Sequence, residues 1–311
     1  MTAQDQNFAS NNRRLIATIG FGEAAQALVK GWKSETSAAD GLRFAAFDIK
    51  TSDPATATGK QQNYAAAGVA GQASMADLLA EADTVFCLVT ADQAAIAAAA
   101  AAPHIRPGTF YFDGNSCAPK TKQANAVVIN AAGGRYVDTA ILAPVNPKLH
   151  RVPILLSGPD ADAALEILTG LGMDARVEQG PIGRASSIKM IRSIMVKGME
   201  ALTAECLLAA RLAGVEDIVM NSLAVSGQGI GGSDQAAYNL ERMMQHGIRR
   251  AAEMREVAIT VADLGLPNGM ATATADWQQV VGDLGLDAGP DDFGLRADAI
   301  LASLGFEKRN T

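Results

Sequence analysis

The sequence predicts an α/β chain in which a doubly wound parallel sheet is followed by an all-α domain. Three observations predict it. Short apolar runs alternate with helical patterns from Leu15 to about Gln179, as expected of a parallel sheet covered on both faces. No strand pattern follows Ala185, and a glycine-rich turn separates the first apolar run from the first helical pattern. In order, "LIATIG", "RFAAFD", "TVFCLV", "TFYFD", "YVDTAIL" and "PILLSG" read as strands. Helical patterns at 23–32, 75–81, 91–102, 119–130 and 161–171 lie between most of them. The remainder is helical, broken at Gly214, 227–232, 265–268 and 282–290, with "SGQGIGGSDQ" as a turn. The expected domains are a disordered tail over 1–12, a sheet domain over 13–183 and a helical domain over 184–311.

Bulk properties narrow the class. The 311 residues, 49% hydrophobic and 19% charged, describe a globular chain with ample length for a core. A net charge of −7 argues against a general nucleic-acid binder, which needs a basic surface. Cys87, Cys117 and Cys206 are scattered and lack a CxxC, which suits a reducing compartment. His104, His150 and His246 are equally dispersed, so no metal cluster is expected, and His104 and His150 read as loop residues. The polar first dozen residues lack the order of a signal peptide. The alanine-rich run before Pro103 is far short of the roughly 20 residues of a membrane span and reads as a packed helix. A soluble cytoplasmic protein is expected, without nucleic-acid or membrane partners.

Gly20-Phe21-Gly22-Glu23-Ala24-Ala25 is a GxGxxA turn between strand and helix. A dinucleotide site needs a tight bend at the first glycine, close approach of a pyrophosphate over the second and a small third residue for packing. Asp48 closes the second strand, 23 positions after Ala25. An acidic residue there accepts ribose hydroxyls and repels a 2′-phosphate. The combination predicts a Rossmann-type site built from Gly20, Phe21, Gly22, Glu23, Ala24 and Asp48, with NAD(H) preferred and NADP(H) as the alternative. Lys50, Thr51 and Ser52 reach a phosphate if their loop folds back.

In open α/β sheets ligands lie across the carboxyl ends of the strands. "FCLVTADQ" puts Val89, Thr90 and Asp92 at one such end, where Thr90 or Asp92 also suits a helix N-cap. "FYFDGNSCAPK" offers Asp113, Asn115, Ser116 and Cys117 at another. Asn115 and Ser116 suit a carboxylate or a ribose, or equally a cap before Pro119. Cys117 has no neighbouring His in sequence and reads as a small filler.

"GPIGRASSIKMIRSIMVKGMEAL" opens the helical half. Ile188, Ile191, Met195, Met199 and Leu202 make one apolar stripe. Lys189, Arg192, Ser193, Lys197 and Glu200 make a second stripe beside it. On periodicity alone the second stripe is either a solvated face or one that points into a site.

With these residues in hand, the chain resembles the β-hydroxyacid dehydrogenase superfamily, which includes 3-hydroxyisobutyrate and 6-phosphogluconate dehydrogenases, from Arg14 onward. It looks most like a branch with a distinctive "KMIRSIMVKGMEAL" helix and an "HGIRRAAEMREVA" stretch. The family's cofactor turn maps to residues 20–25, and its Asp-x-Ser-Thr-x-x-Pro segment to 113–119, with Asn115 in place of the first Ser. Its Gly-x-x-Gly, with Lys nine residues after the first Gly, maps to Gly180, Gly183 and Lys189. Three departures touch the substrate side. Ser193 stands where the family has Asn, no Gly-Gly pair follows Asp138, and Arg255-Glu256 is only a loose counterpart of the C-terminal Lys-Asp pair.

The resemblance implies that Lys189 is a general acid/base, with Asn115, Ser116, Arg192 and Ser193 toward substrate and Val89 and Thr90 toward the cofactor. Lysine at its ordinary pKa of about 10.4 is rarely neutral near pH 7. Desolvation and the neighbouring Arg192 or Lys197 would lower that value. Arg192 either pairs with a substrate carboxylate or phosphate or bridges to Glu200. Lys197 and Glu200 read as structural or interfacial, and His246, Arg249 and Arg250 as solvated, dimer-facing or anion-contacting. The expected activity is NAD(P)-dependent interconversion of a small β-hydroxy acid, as a homodimer. An imine reductase of the same superfamily and a non-catalytic dinucleotide sensor or scaffold are the alternatives.

Overall fold

The computed structural model describes residues 14–35, 41–225 and 232–306. The tail expected over 1–12 and most of the "SGQGIGGSDQ" turn lie outside the described residues. The chain divides into two compact units between Lys189 and Met190.

The first unit is built on an eight-stranded sheet. Its strands are β1 (Arg14–Ile19), β2 (Leu42–Phe47), β3 (Ala70–Gly71), β4 (Thr84–Cys87), β5 (Phe110–Asp113), β6 (Arg135–Ile141), β7 (Ile154–Ser157) and β8 (Ala175–Val177). They lie in the order β3-β2-β1-β4-β5-β6-β7-β8. The order reverses between β1 and β4, the crevice where such sheets take ligands. Helices α1 (Glu23–Ser34), α2 (Pro54–Ala67), α3 (Met75–Leu79), α4 (Ala94–Ala101), α5 (Pro119–Ala131) and α6 (Ala161–Gly170) cover it. Trp32, Phe86, Phe112 and Leu156 pack on one face, and Leu78, Leu79, Tyr111 and Tyr136 on the other. Each such buried side chain contributes about 1.5–3 kcal/mol of transfer free energy, so both faces are true core.

Three features depart from the sequence expectation. The sheet is not wholly parallel, because β7 runs antiparallel to β6. The connection between them carries only a short 3-10 turn at Leu149–Arg151, and a parallel return needs a crossover, usually a helix. Helix α2 has no apolar stripe to reveal it, since its buried residues are Lys60 and Tyr64. It is set instead by its ends, with Asp53 accepting from Ala55 N–H, Pro54 in the first turn and Gly68 in the left-handed conformation. The third departure is His150, buried rather than in an open loop, with its ring against Gly31 and Nε2 3.0 Å from Glu35.

The second unit is helical. Helix α7 (Arg184–Ala213) crosses the division, followed by α8 (Glu216–Val225), α9 (Gly232–Asp263), α10 (Gly269–Asp283) and α11 (Phe293–Ser303). Helices α9 and α10 meet backbone to backbone at Gly247 and Gly282. A Cβ on Gly282 would stand 2.5 Å from the amide nitrogen of Ile248. One core holds Leu207, Leu240, Met243, Phe293 and Ile300, and a second holds Met190, Met254 and Val257.

The two stripes of α7 are inverted relative to ordinary expectation. Ile191, Met195, Met199 and Leu202 are exposed, Met195 at 66%, whereas Ser193, Lys197 and Glu200 are buried. The polar stripe turns inward because it finds charged partners on neighbouring helices. Lys197 pairs with Glu253 at 2.8 Å, and Glu200 takes Arg250 through both oxygens and Gln278 at 2.8 Å. Buried ions are tolerated only when paired in this way.

Candidate active site

The glycine turn meets the requirements of a dinucleotide site. Gly20 sits at φ +81°, and a Cβ there would come 2.6 Å from the carbonyl oxygen of Leu88, so no other residue fits. A Cβ on Gly22 would meet nothing within 4 Å, which leaves open space where a pyrophosphate must approach. Gly22 is the N-cap of α1 and provides no side-chain cap, so the first-turn amides remain suited to an anion. Ala25 is fully buried between helix and strand. Phe21 works through its backbone while its ring packs on Tyr64, centroids 5.1 Å apart. Glu23 is exposed in the first turn, its Oε1 accepting from Asn146 Nδ2 at 3.4 Å, and Ala24 is half-buried.

Asp48 has partners that the sequence did not reveal. Its Oδ2 accepts from Phe21 N–H at 2.9 Å and pairs with Lys60 Nζ at 3.1 Å, while Oδ1 accepts from Lys50 N–H at 3.0 Å. Lys60 also donates to the carbonyl of Phe21 at 2.9 Å. Burial pushes the Asp48 pKa up, but the two amides and the Lys60 ammonium outweigh it and hold the carboxyl below its ordinary value. The carboxylate is ionised and joined to the turn, and its charge is largely compensated. Oδ1 keeps capacity for one further donor. Lys60 joins the candidate site with no signal in the sequence, because it is one of two inward residues on a polar helix and makes no periodic pattern.

The loop after β5 is organised by Asp113 rather than presented to solvent. Asn115 is buried; its Oδ1 accepts from Val89 N–H at 2.7 Å and its Nδ2 donates to Asp113 Oδ1 at 2.7 Å. The amide expected to face substrate is thus committed to joining the β4 and β5 loops. Ser116 is half-buried and Thr90 exposed. Cys117 is a filler against Ala91 and Ala94, and burial pushes the Cys87 thiol up to about 12, beyond use as a nucleophile.

Beneath this loop lies a buried cluster. Lys122 Nζ stands 3.0 Å from Asp113 Oδ1 and 3.7 Å from Asp138 Oδ1, all three side chains fully buried. Asp113 Oδ2 also accepts from Tyr136 Oη at 2.7 Å and Asn125 Nδ2 at 3.2 Å. Asp138 Oδ2 accepts from Ser157 Oγ at 3.0 Å, Gly183 N–H at 3.0 Å and Ser186 N–H at 3.1 Å. The last two amides are at the start of α7, so a sheet carboxylate caps the helix that carries Lys189. Lys189 follows on its second turn, half-buried, one residue after Ile188, which packs with Ala140, Leu155 and Ala185. Gly183 has φ +98°, so the turn into the helix requires glycine.

The residues of α7 past Lys189 divide. Arg192 is exposed, whereas Ser193 is buried with its hydroxyl accepting from Lys197 at 3.3 Å. Lys197 faces Glu253 and so is not the bare positive neighbour expected to depress Lys189. Arg250 is likewise a buried partner of Glu200, not a solvated or anion-contacting group, and Arg249 pairs with Glu253 at 3.2 Å. His246 is half-buried.

Residues 15–168 match the family described as the NAD binding domain of 6-phosphogluconate dehydrogenase, and 210–281 match a domain of unknown function, DUF1932. A conserved hypothetical protein from Sinorhizobium meliloti 1021 is 35% identical, covering 94% of this chain and 97% of its own, with a TM-score of 0.69. The conserved protein MTH1747, described as structurally similar to 3-hydroxyacid dehydrogenases, is 29% identical over 91% of this chain and 99% of its own, with a TM-score of 0.64. The 3-hydroxyisobutyrate dehydrogenase of Mycobacterium tuberculosis, solved with L-serine, shares the fold at 15% identity and a TM-score of 0.67, covering 93% and 98%. Among the described residues no helix is long and apolar enough to cross a membrane. Nucleotide fold, glycine turn and relatives agree: the chain belongs to the β-hydroxyacid dehydrogenase superfamily, in a branch with a C-terminal helical domain.

Proposed function

We propose that this protein is an NAD(P)-dependent oxidoreductase that interconverts a small β-hydroxy acid, amino- or aryl-substituted forms included, with its keto or semialdehyde form. Lys189 is its general acid/base. The observation that carries the reading is the tether of the Lys189 helix. The amides of Gly183 and Ser186 are bonded to Asp138, on the same sheet that bears the Gly20 turn. The lysine is thereby held to the body that holds the cofactor turn.

Gly20, Phe21, Gly22, Glu23 and Ala24 would hold the pyrophosphate, Asp48 the adenosine ribose, and Val89 and Thr90 would border the nicotinamide half. When bound, the nicotinamide supplies the acceptor or donor of hydride. A neutral Lys189 amine takes the proton of the substrate hydroxyl, and in the reducing direction the ammonium returns it. Ser116 and Arg192 are the substrate-side groups with accessible side chains, Arg192 suited to a carboxylate. Ser193 would stand beside the substrate oxygen in the place of the family's Asn, its hydroxyl accepting from Lys197. Asn115 serves by holding the loop. Asp48 supports NAD(H) as the preferred cofactor, and the Lys60 charge beside it lowers the penalty against a 2′-phosphate.

A homodimer accompanies this reading, covering the exposed face of Ile191, Met195, Met199 and Leu202. A cytoplasmic home goes with the same reading, and the free thiols of Cys87, Cys117 and Cys206 are compatible with it. The test is a panel of 2- and 3-hydroxy acids and amino alcohols, read by the absorbance of reduced nicotinamide. Lys189→Ala abolishes turnover and leaves cofactor affinity nearly intact. Equal loss of both, or of neither, overturns the proton-transfer role.

A further inference from the structure

The sheet domain contains a buried ammonium that hydride and proton transfer do not use. Asp113 and Asp138 are register partners on neighbouring parallel strands, so their side chains project from the same face of the sheet. Two carboxylates side by side without solvent repel strongly, and one lysine neutralises only one of them. Hydrogen bonds stabilise the other charge. Asp138 receives two backbone amides from the start of α7 and two hydroxyls, from Ser157 and Ser186. Ser157 Oγ in turn accepts from Ala185 N–H at 3.0 Å. Asp113 receives Tyr136, Asn125 and both the backbone and side-chain N–H groups of Asn115. Lys122 reaches both carboxylates and also donates to the backbone carbonyl of Asp113.

Followed outward, these contacts reach three separate segments. Through Asp113 and Asn115 the ammonium is linked to Val89, beyond β4. Through Asp113 alone it fixes the loop that carries Ser116. Through Asp138 it holds the first turn of the helix that carries Lys189. We propose that Lys122 is a positioning residue: by bridging Asp113 and Asp138 it locks the Ser116 loop to the start of the Lys189 helix and sets the distance between them. The proposal rests on the reading of Lys189 as acid/base. Lys122 itself touches neither substrate nor cofactor. An apolar residue in its place leaves two facing carboxylates with no counter-charge, and they separate along the line that joins the loop to the helix.

The test is Lys122→Met in the full-length protein, with two readouts. In kinetics normalised to cofactor-binding sites, kcat falls about tenfold to a hundredfold, the scale of a reacting group displaced by about 1 Å. KM for the hydroxy acid rises, and cofactor affinity stays near the wild-type value. A merely structural lysine would reduce the number of binding sites and leave kcat per site and KM unchanged. The second readout is amide hydrogen exchange, which needs no turnover. Protection falls at 183–189 and 114–117 and is kept in β1 and β4. Unchanged exchange at 183–189, or unchanged kcat per site with unchanged KM, overturns the proposal. If Lys122→Met does not fold, Ser157→Ala and Ser186→Ala decide, each removing one hydroxyl from Asp138. Faster exchange at 184–188 with lower kcat supports the bridge, and wild-type behaviour in both rejects it. Should Lys189→Ala prove harmless, the acid/base reading fails while the exchange data still report on the lock.

Discussion

Replacing Arg250 by Met isolates the cost of the buried ion pair inside the helical unit. Arg250 and Glu200 are 8% and 4% exposed, and the guanidinium engages both carboxylate oxygens. In Arg250→Met, Glu200 keeps Gln278 at 2.8 Å as a neutral donor and loses the cation that Arg250 supplies. An unpaired buried carboxylate of this kind costs about 3–5 kcal/mol. For a unit of this size that corresponds to a melting temperature lower by about 10–20 °C. The double variant Glu200→Leu with Arg250→Met removes the stranded charge along with the pair and should recover most of the loss. Thermal and urea unfolding followed by circular dichroism measure both, compared at one pH and salt concentration. If the double variant is as unstable as Arg250→Met, or if Arg250→Met costs under about 1 kcal/mol, the network is not what turns the polar stripe of α7 inward.

Other expectations follow from the same contacts. Gly282→Ala forces a Cβ to within 2.5 Å of the backbone at Ile248; separating α9 from α10 should cost about 1–3 kcal/mol, visible in urea unfolding. Asp48→Ala should weaken NADH far more than NADPH in a fluorescence titration, and Lys60→Met should instead weaken NADPH relative to NADH; the opposite order in either variant reverses the assignment. Stability should fall toward acid. Burial raises the Asp113 pKa, but Lys122 and the Tyr136 hydroxyl outweigh it and depress the folded value. Its contribution is therefore present above the unfolded value of about 3.9 and is lost as pH falls through the folded one. The Lys122 pKa is lowered by burial and raised more by Asp113 and Asp138, so its contribution is present below about 10.4 and lost as pH rises past the folded value. Urea unfolding across pH checks both limbs, and Asp113→Asn should flatten the acid one.

The nucleotide half was legible because its strands are apolar runs and its turn needs glycine at fixed spacing. β3 and β8, at two and three residues, are too short to show a pattern. The reversal of β7 was visible in principle: between "YVDTAIL" and "PILLSG" no helical pattern appears, so no crossover was on offer. Periodicity showed that α7 has two stripes but not which faces inward. That choice depends on Glu253 and Arg250, more than 45 residues away in sequence, and a one-dimensional reading does not pair such distant charges. Asn115 and Lys122 illustrate the same limit. Each has the residue type of a binding group, and each is consumed by Asp113.

The reversed strand has one further effect. With no crossover helix between β6 and β7, the layer over Ala140 and Leu155 is completed by the first turns of α7 through Ala185 and Ile188. A residue inserted into the exposed stretch 146–148 of the β6–β7 connection leaves that layer alone. A residue inserted between Ser186 and Lys189 would swing the amine about 100° around the helix axis, so the three steps from Ser186 to Lys189 set the aim of the proposed chemistry.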